Sequence, residues 1–132
     1  MYILDTNIIT AILKDNQKVR QKVQEVTLQG REIFINGISY YEIKRGLLAS
    51  NATTQLVRFE LLCKTFGILL LNNLSIFNEA SFVYAYLRPK GMPIGDADIL
   101  IASLTKIQNY ILVTNDSDFQ NVQGLRTEDW LT

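Results

Sequence analysis

The chain has 132 residues, 48% of them hydrophobic and 20% charged, a globular mix at one domain's length that excludes a disordered or collagen-like chain. Thirteen Lys and Arg balance thirteen Asp and Glu, so bulk attraction to nucleic acid or an anionic membrane is absent and any polyanion must be held locally. With no histidine and one cysteine, the composition also excludes a His-based triad, a Cys–His pair, an internal disulfide and the usual zinc sites. Any chemistry falls to carboxylates.

In chain order, residues 2–4 (YIL) form a short apolar run that stops at Asp5, and 6–13 (TNIITAIL) continue at helix spacing. The reading is a strand, an Asp at its end, then a helix. Residues 17–28 place Val19, Val23 and Val26 on one stripe of an amphipathic helix, and EIFI at 32–35 reads as a buried strand. Ser39 stands three residues before Glu42, the pattern of a capping box, which predicts a helix from about residue 39. Residues 52–66 have helical periodicity and carry Cys63 as a small apolar residue. Gly67 precedes ILLL at 68–71, read as a buried strand. A helix over 75–87 is stopped by Arg88-Pro89-Lys90-Gly91, and another spans 95–108 with Ala97, Leu100, Ile101, Leu104 and Ile107 as its core stripe. The strand YILVT at 110–114 leads into TNDSDF, and the tail ending LRTEDW is a candidate edge strand. Uniformly apolar strands alternating with amphipathic helices predict a three-layer α/β/α domain over 1–132 with a central, mostly parallel sheet. No apolar run approaches the ~20 residues of a membrane span, and Asp5 and Asp15 interrupt the opening segment, so neither a span nor a signal peptide is expected.

In open parallel folds the functional crevice lies beyond the carboxyl ends of the strands. Six of the thirteen acids fall there: Asp5, Glu42, Asp96, Asp98, Asp116 and Asp118. Each has a structural explanation. Asp5 can cap the following helix, Glu42 can complete its capping box, Asp96 and Asp98 suit a helix N-terminus, and Asp116 and Asp118 suit turns. Their convergence from separate strand-to-helix junctions is explained more economically by one site. Clustered carboxylates either become protonated or recruit a hard divalent cation, and an all-oxygen set suits Mg2+ or Mn2+ and phosphoester chemistry. Asp96 and Asp98 flank the core stripe of their helix on opposite sides, so one should point in, and spacing leaves open which.

These residues resemble a known family, the PIN-domain ribonucleases, and within it the VapC toxins of prokaryotic type II toxin–antitoxin pairs. The resemblance rests on YILDTN at 2–7, ISYYEIKRG at 38–46, PIGDADILIAS at 93–103, VTNDSDF at 113–119 and GLRTEDW at 124–130, in this order across almost the whole chain. It implies a PIN-like fold and a Mg2+ pocket, with Mn2+ as a substitute, lined by Asp5, Glu42, Asp98 and Asp116. Asp98 is chosen because it is the Asp of the G-x-x-D-x-x-I-A pattern starting at Gly95, which leaves Asp96 as a neighbour. Asp118 stands outside the T-x-D pattern that selects Asp116. Thr6, Asn7, Thr114 and Asn115 are expected to orient carboxylates or waters.

The implied activity is cleavage of single-stranded RNA by a metal-activated water, by a homodimer inhibited by a cognate antitoxin protein, and the lone Cys63 fits a reducing cytoplasm. Lys14, Lys18, Arg20, Lys22, Lys44 and Arg45 are the nearest approach to a basic patch for RNA, and Tyr40 and Tyr41 are candidates for base stacking. Among other readings, an aspartyl phosphotransferase usually shows D-x-D where this chain has Asp5-Thr6-Asn7. A receiver-like domain would need an Asp after the third strand, where NNL at 72–74 has none. A catalytically silent PIN-like binding module remains, which metal binding would distinguish.

Overall fold

Parallel pairing gathers the carboxyl ends of all the strands along one edge, and Asp5 and Asp116 follow two of those ends. The computed structural model describes residues 1–92 and 94–132; Pro93, which opens the PIGDADILIAS block, lies outside the described residues. The strands are β1 (Tyr2–Leu4), β2 (Ile33–Asn36), β3 (Ile68–Leu69), β4 (Ile111–Val113) and β5 (Thr127–Glu128). They form one sheet in the order β3-β2-β1-β4-β5, every neighbouring pair parallel. Helices α1 (Thr6–Leu13) and α2 (Gln17–Leu28) follow β1, α3 (Gly37–Ala49) and α4 (Thr53–Phe66) follow β2, and α5 (Leu74–Leu87) and α6 (Asp96–Gln108) connect β3 to β4.

Side chains alternate across the pleat, so each strand feeds two cores. Tyr2 and Leu4 pack with Ile8, Ile12, Val19 and Phe59 under α1, α2 and α4. Ile3 and Leu112 pack with Ile76, Val83, Ile101 and Leu104 under α5 and α6. Because β1 is buried on both faces, it is apolar at every position, and the three-layer α/β/α architecture expected from the sequence is the one observed. Complete burial of a side chain such as Phe59 contributes about 1.5–3 kcal/mol. Cys63 is buried in the same core, its thiol pushed up to about 11 first of all by burial. The tail is pinned where Trp130 meets Tyr2 edge to face, ring centroids 5.1 Å apart, and β5 forms as the expected edge strand.

Two expectations are corrected. ILLL is not a buried strand: only Ile68–Leu69 pairs, at the sheet edge, and Leu70 is exposed, because an edge position leaves one flank uncovered. Helix α3 begins at Gly37 rather than near residue 39. Its N-cap is Asn36, whose side chain accepts from the Ser39 N–H, so Ser39 lies inside the first turn and no Ser39–Glu42 capping box forms.

Leu4 stands opposite Ile35 on one side and Val113 on the other. The next residue of each strand, Asp5, Asn36 and Thr114, therefore comes to the same stretch of the sheet edge. All three are almost wholly buried.

Candidate active site

Asp5 has extended backbone and caps α1, its Oδ1 accepting from the Thr6 N–H at 2.8 Å. The capping explanation is thus correct, and it uses only one carboxylate oxygen. Oδ2 accepts from the Thr114 hydroxyl at 2.8 Å, and the Thr114 oxygen in turn accepts from the Asp116 N–H at 3.0 Å. Burial raises the Asp5 carboxyl above its usual range; the bonds from Thr114 and Thr6 oppose that shift, and the charges of Asp116 and Glu42 add to it.

Glu42 lies on the second turn of α3, half-buried, with Oε1 3.2 Å from the Thr6 hydroxyl. Asp98 enters from the first turn of α6, also half-buried. Its carboxyl is pushed up to about 6, chiefly by burial and then by the charges of Asp5, Asp116, Glu42 and Asp118. Asp116 caps the 3-10 turn Ser117–Asn121 through a 2.9 Å bond from the Asp118 N–H. The charges of Glu42 and Asp116 thus bear on Asp5, and those of all three bear on Asp98. The ion pairs among the described residues involve none of them.

The neighbouring acids part company. Asp96 is exposed and lines a depression with Phe77, Ser81 and Tyr84, and its charge is not among those that bear on Asp98. Asp118 is exposed, and only its charge bears on Asp98. Of the polar residues expected to orient the acids, Thr6 and Thr114 bond them directly. Asn115 instead donates to Asp129 at 2.9 Å, turned toward the tail. Asn7 Oδ1 is the one buried side-chain oxygen or nitrogen without a hydrogen-bond partner among the described residues. The sequence offers no local signal for Asn36, which follows the strand expected at 32–35, and suggests for Ser39 only a helix cap.

Three of the six basic residues expected to form a patch are ion-paired: Arg20 with Asp15 at 2.6 Å, Lys22 with Glu25 at 3.5 Å and Lys44 with Glu60 at 3.2 Å. Tyr40 is partly buried and packs against the core on Phe59, ring centroids 5.6 Å apart. Tyr41 is exposed, with the Arg45 guanidinium 5.1 Å from its ring centroid.

Chemically, the group is a set of hard oxygen donors whose mutual repulsion a cation would relieve, which fits a divalent metal better than a proton donor–acceptor pair. The carboxylates feel one another's charge without being closed into a cage. Among the described residues, no three Asp, Glu, Cys or His side chains are gathered to hold an ion as they stand.

Comparison with known proteins fits this geometry. A family model described as PIN domain matches residues 2–125. The chain is 30% identical over 132 residues to Ribonuclease VapC1 of Haemophilus influenzae strain R2866, covering 98% of each chain. Its fold superposes with a TM-score of 0.88 on a chain of the VapBC2 structure from Rickettsia felis bound to a promoter DNA fragment, at 26% identity and 98% coverage of both. A VapBC-1 structure from nontypeable Haemophilus influenzae gives 0.87 at 27% identity, covering 99% of this chain and 98% of that one.

Proposed function

Because this chain belongs to the PIN-domain family, which its sequence matches over residues 2–125, we propose that it is a VapC-type ribonuclease, the toxin of a toxin–antitoxin pair. The substrate is single-stranded RNA, cut by hydrolysis of a phosphodiester, and residues 1–132 act as a single domain. The observation that carries this reading is the burial of Asp5 at the carboxyl edge of a parallel sheet, with the charges of Glu42 and Asp116 bearing on it and those of all three bearing on Asp98.

In this reading Asp5 and Asp98 hold the principal divalent cation, Mg2+ with Mn2+ as a substitute, and Glu42 and Asp116 complete its surroundings. When bound, such an ion polarises the phosphoryl oxygen and lowers the pKa of water. The chain's own residues prepare for it. The Thr6 N–H and the Thr114 hydroxyl each donate to one oxygen of Asp5, which fixes the plane of its carboxylate and favours the ionised form that a metal needs. Glu42 and Asp116 sit on opposite sides of Asp5 in the chain's layout, on α3 and after β4, where they can accept protons from an attacking water or hold it in line.

Exposed apolar side chains at helical spacing on one face of α5, Leu74, Phe77 and Tyr84, support a homodimer, since such a stripe on a lone chain is costly to leave in water. The protein partner is a cognate antitoxin; the Rickettsia felis neighbour is a VapBC assembly. In this reading the enzyme is cytoplasmic. No helix among the described residues is long and apolar enough to cross a membrane.

The uncollected state of the carboxylates favours one second reading, a PIN-like binding module without activity. Purified wild type and Asp98→Asn, incubated with total RNA and Mg2+, separate the two. The ribonuclease reading expects new 5′-phosphate ends from the wild type and a loss of at least a hundredfold in the variant. A wild type that cuts no RNA and binds no Mn2+ would leave the binding module.

A further inference from the structure

We infer that Asn36 and Ser39 are positioning residues that hold the Glu42 carboxylate in place through Thr6, an inference that rests on the ribonuclease reading above. Asn36 is wholly buried where β2 meets α3, and its amide is fully used. Its Oδ1 accepts from the Ser39 N–H at 2.8 Å, and its Nδ2 donates to the Leu4 carbonyl and to Ser39 Oγ, both at 3.0 Å. A backbone N–H can only donate and a carbonyl can only accept, so this amide has one permitted orientation.

The fixed amide sets the direction of the bonds beyond it. Ser39, also wholly buried, accepts from Asn36, and its own hydroxyl proton must go elsewhere. Thr6 Oγ1, 2.9 Å away, is the acceptor on hand, and a hydroxyl can rotate to donate or accept. Thr6 then has its proton free for Glu42 Oε1 at 3.2 Å. The result is a one-way series of donors, Asn36 to Ser39 to Thr6 to Glu42, ending on a carboxylate that can only accept when ionised.

Two features set this series apart from ordinary satisfaction of buried polar groups, which any core requires. It terminates on a half-buried acid of the site rather than on a backbone group. It also begins at the residue that bonds Leu4, the neighbour of Asp5, so one amide ties the strand end carrying Asp5 to the side chain of Glu42. A matching series on the other side of β1 runs from the Asp116 N–H through Thr114 to Asp5.

The test measures Mn2+ dissociation constants by calorimetry, with thermal unfolding as a folding control, for wild type, Ser39→Ala, Glu42→Gln and the double variant. Thr6→Val, which breaks the last two links and leaves the Asn36–Ser39 bonds in place, serves if Ser39→Ala fails to fold. Residues that orient a metal's ligands typically change affinity by about 10–100-fold, so Ser39→Ala and Thr6→Val are expected to weaken Mn2+ binding by roughly tenfold. In the Glu42→Gln background, neither should weaken it further. Thr6→Ser, which retains a hydroxyl, should bind as the wild type does, and in RNA cleavage Ser39→Ala should lower kcat with KM unchanged. Folded Ser39→Ala and Thr6→Val variants with wild-type Mn2+ affinity would overturn the inference while leaving the ribonuclease reading intact. So would a loss repeated in full without the Glu42 carboxylate. A wild type that binds no Mn2+ overturns both.

Discussion

Asp98 is where the site costs the fold stability, and replacing it with Asn should show how much. Its carboxyl is raised from 3.8 in the unfolded chain to about 6 in the folded one, first by burial and then by the surrounding acids. Between these values the folded state binds the proton that the unfolded state has lost. This group therefore favours the native state below pH 4, and its ionised form weighs against folding increasingly as pH rises through 6. A shift of this size corresponds to about 3 kcal/mol at most. Asp98 is only half-buried, so solvent screening trims the figure, and its favourable place in the first turn of α6 offsets about 0.3–1 kcal/mol when the charge is removed. About 1 kcal/mol remains.

Urea unfolding of wild type and Asp98→Asn, in chelator, should therefore find the variant more stable by about 1 kcal/mol at pH 7.5 and no more stable at pH 3.5. Mg2+ should then narrow the gap at pH 7.5 by stabilising the wild type alone. A variant less stable than wild type at pH 7.5, or an advantage that persists unchanged at pH 3.5, would show that charge repulsion at Asp98 is not the cause.

Two further substitutions probe the neighbours. Thr114→Val removes the hydroxyl that donates to Asp5 Oδ2 and keeps the side chain's volume, so cleavage should fall about 10–100-fold with α/β circular dichroism unchanged; activity equal to wild type would remove Thr114 from the site. Asp96→Ala alters an exposed acid outside the carboxylate group, and its cleavage rate should stay within about twofold of wild type. A collapse like that expected of Asp98→Asn would mean that the wrong acid of the pair has been chosen.

Most strands and helices were legible in the sequence because their causes are local. A run such as YIL can be apolar at every position only if both faces are covered. The stripe expected along 95–108 holds at Ile101 and Leu104, but Ile107 is exposed while Ile99 and Ala102 are buried, because α6 packs against α5 as well as the sheet. The acids at the strand ends were legible for the same reason, since an Asp that closes a strand in a parallel sheet arrives at the functional edge whatever else it does. Periodicity reached no further than that. It left Asp96 and Asp98 equivalent, and only the packing of α6 against the sheet makes one exposed and the other half-buried.

The remaining decisions were made between distant segments. Ser39 has the sequence context of a helix cap, yet Asn36 takes the cap, and the freed Ser39 hydroxyl meets Thr6, 33 residues earlier. Thr114 finds Asp5 across 109 residues because β4 pairs directly with β1. ILLL loses its buried character because β3 falls at the sheet's edge, a place set by strand order rather than by its own residues. The sequence by itself determined which residues could carry charge to the edge of the sheet. Which hydroxyl and amide hold each carboxylate was decided by register and strand order, since a hydrogen bond depends on an ångström-scale distance that no local pattern encodes.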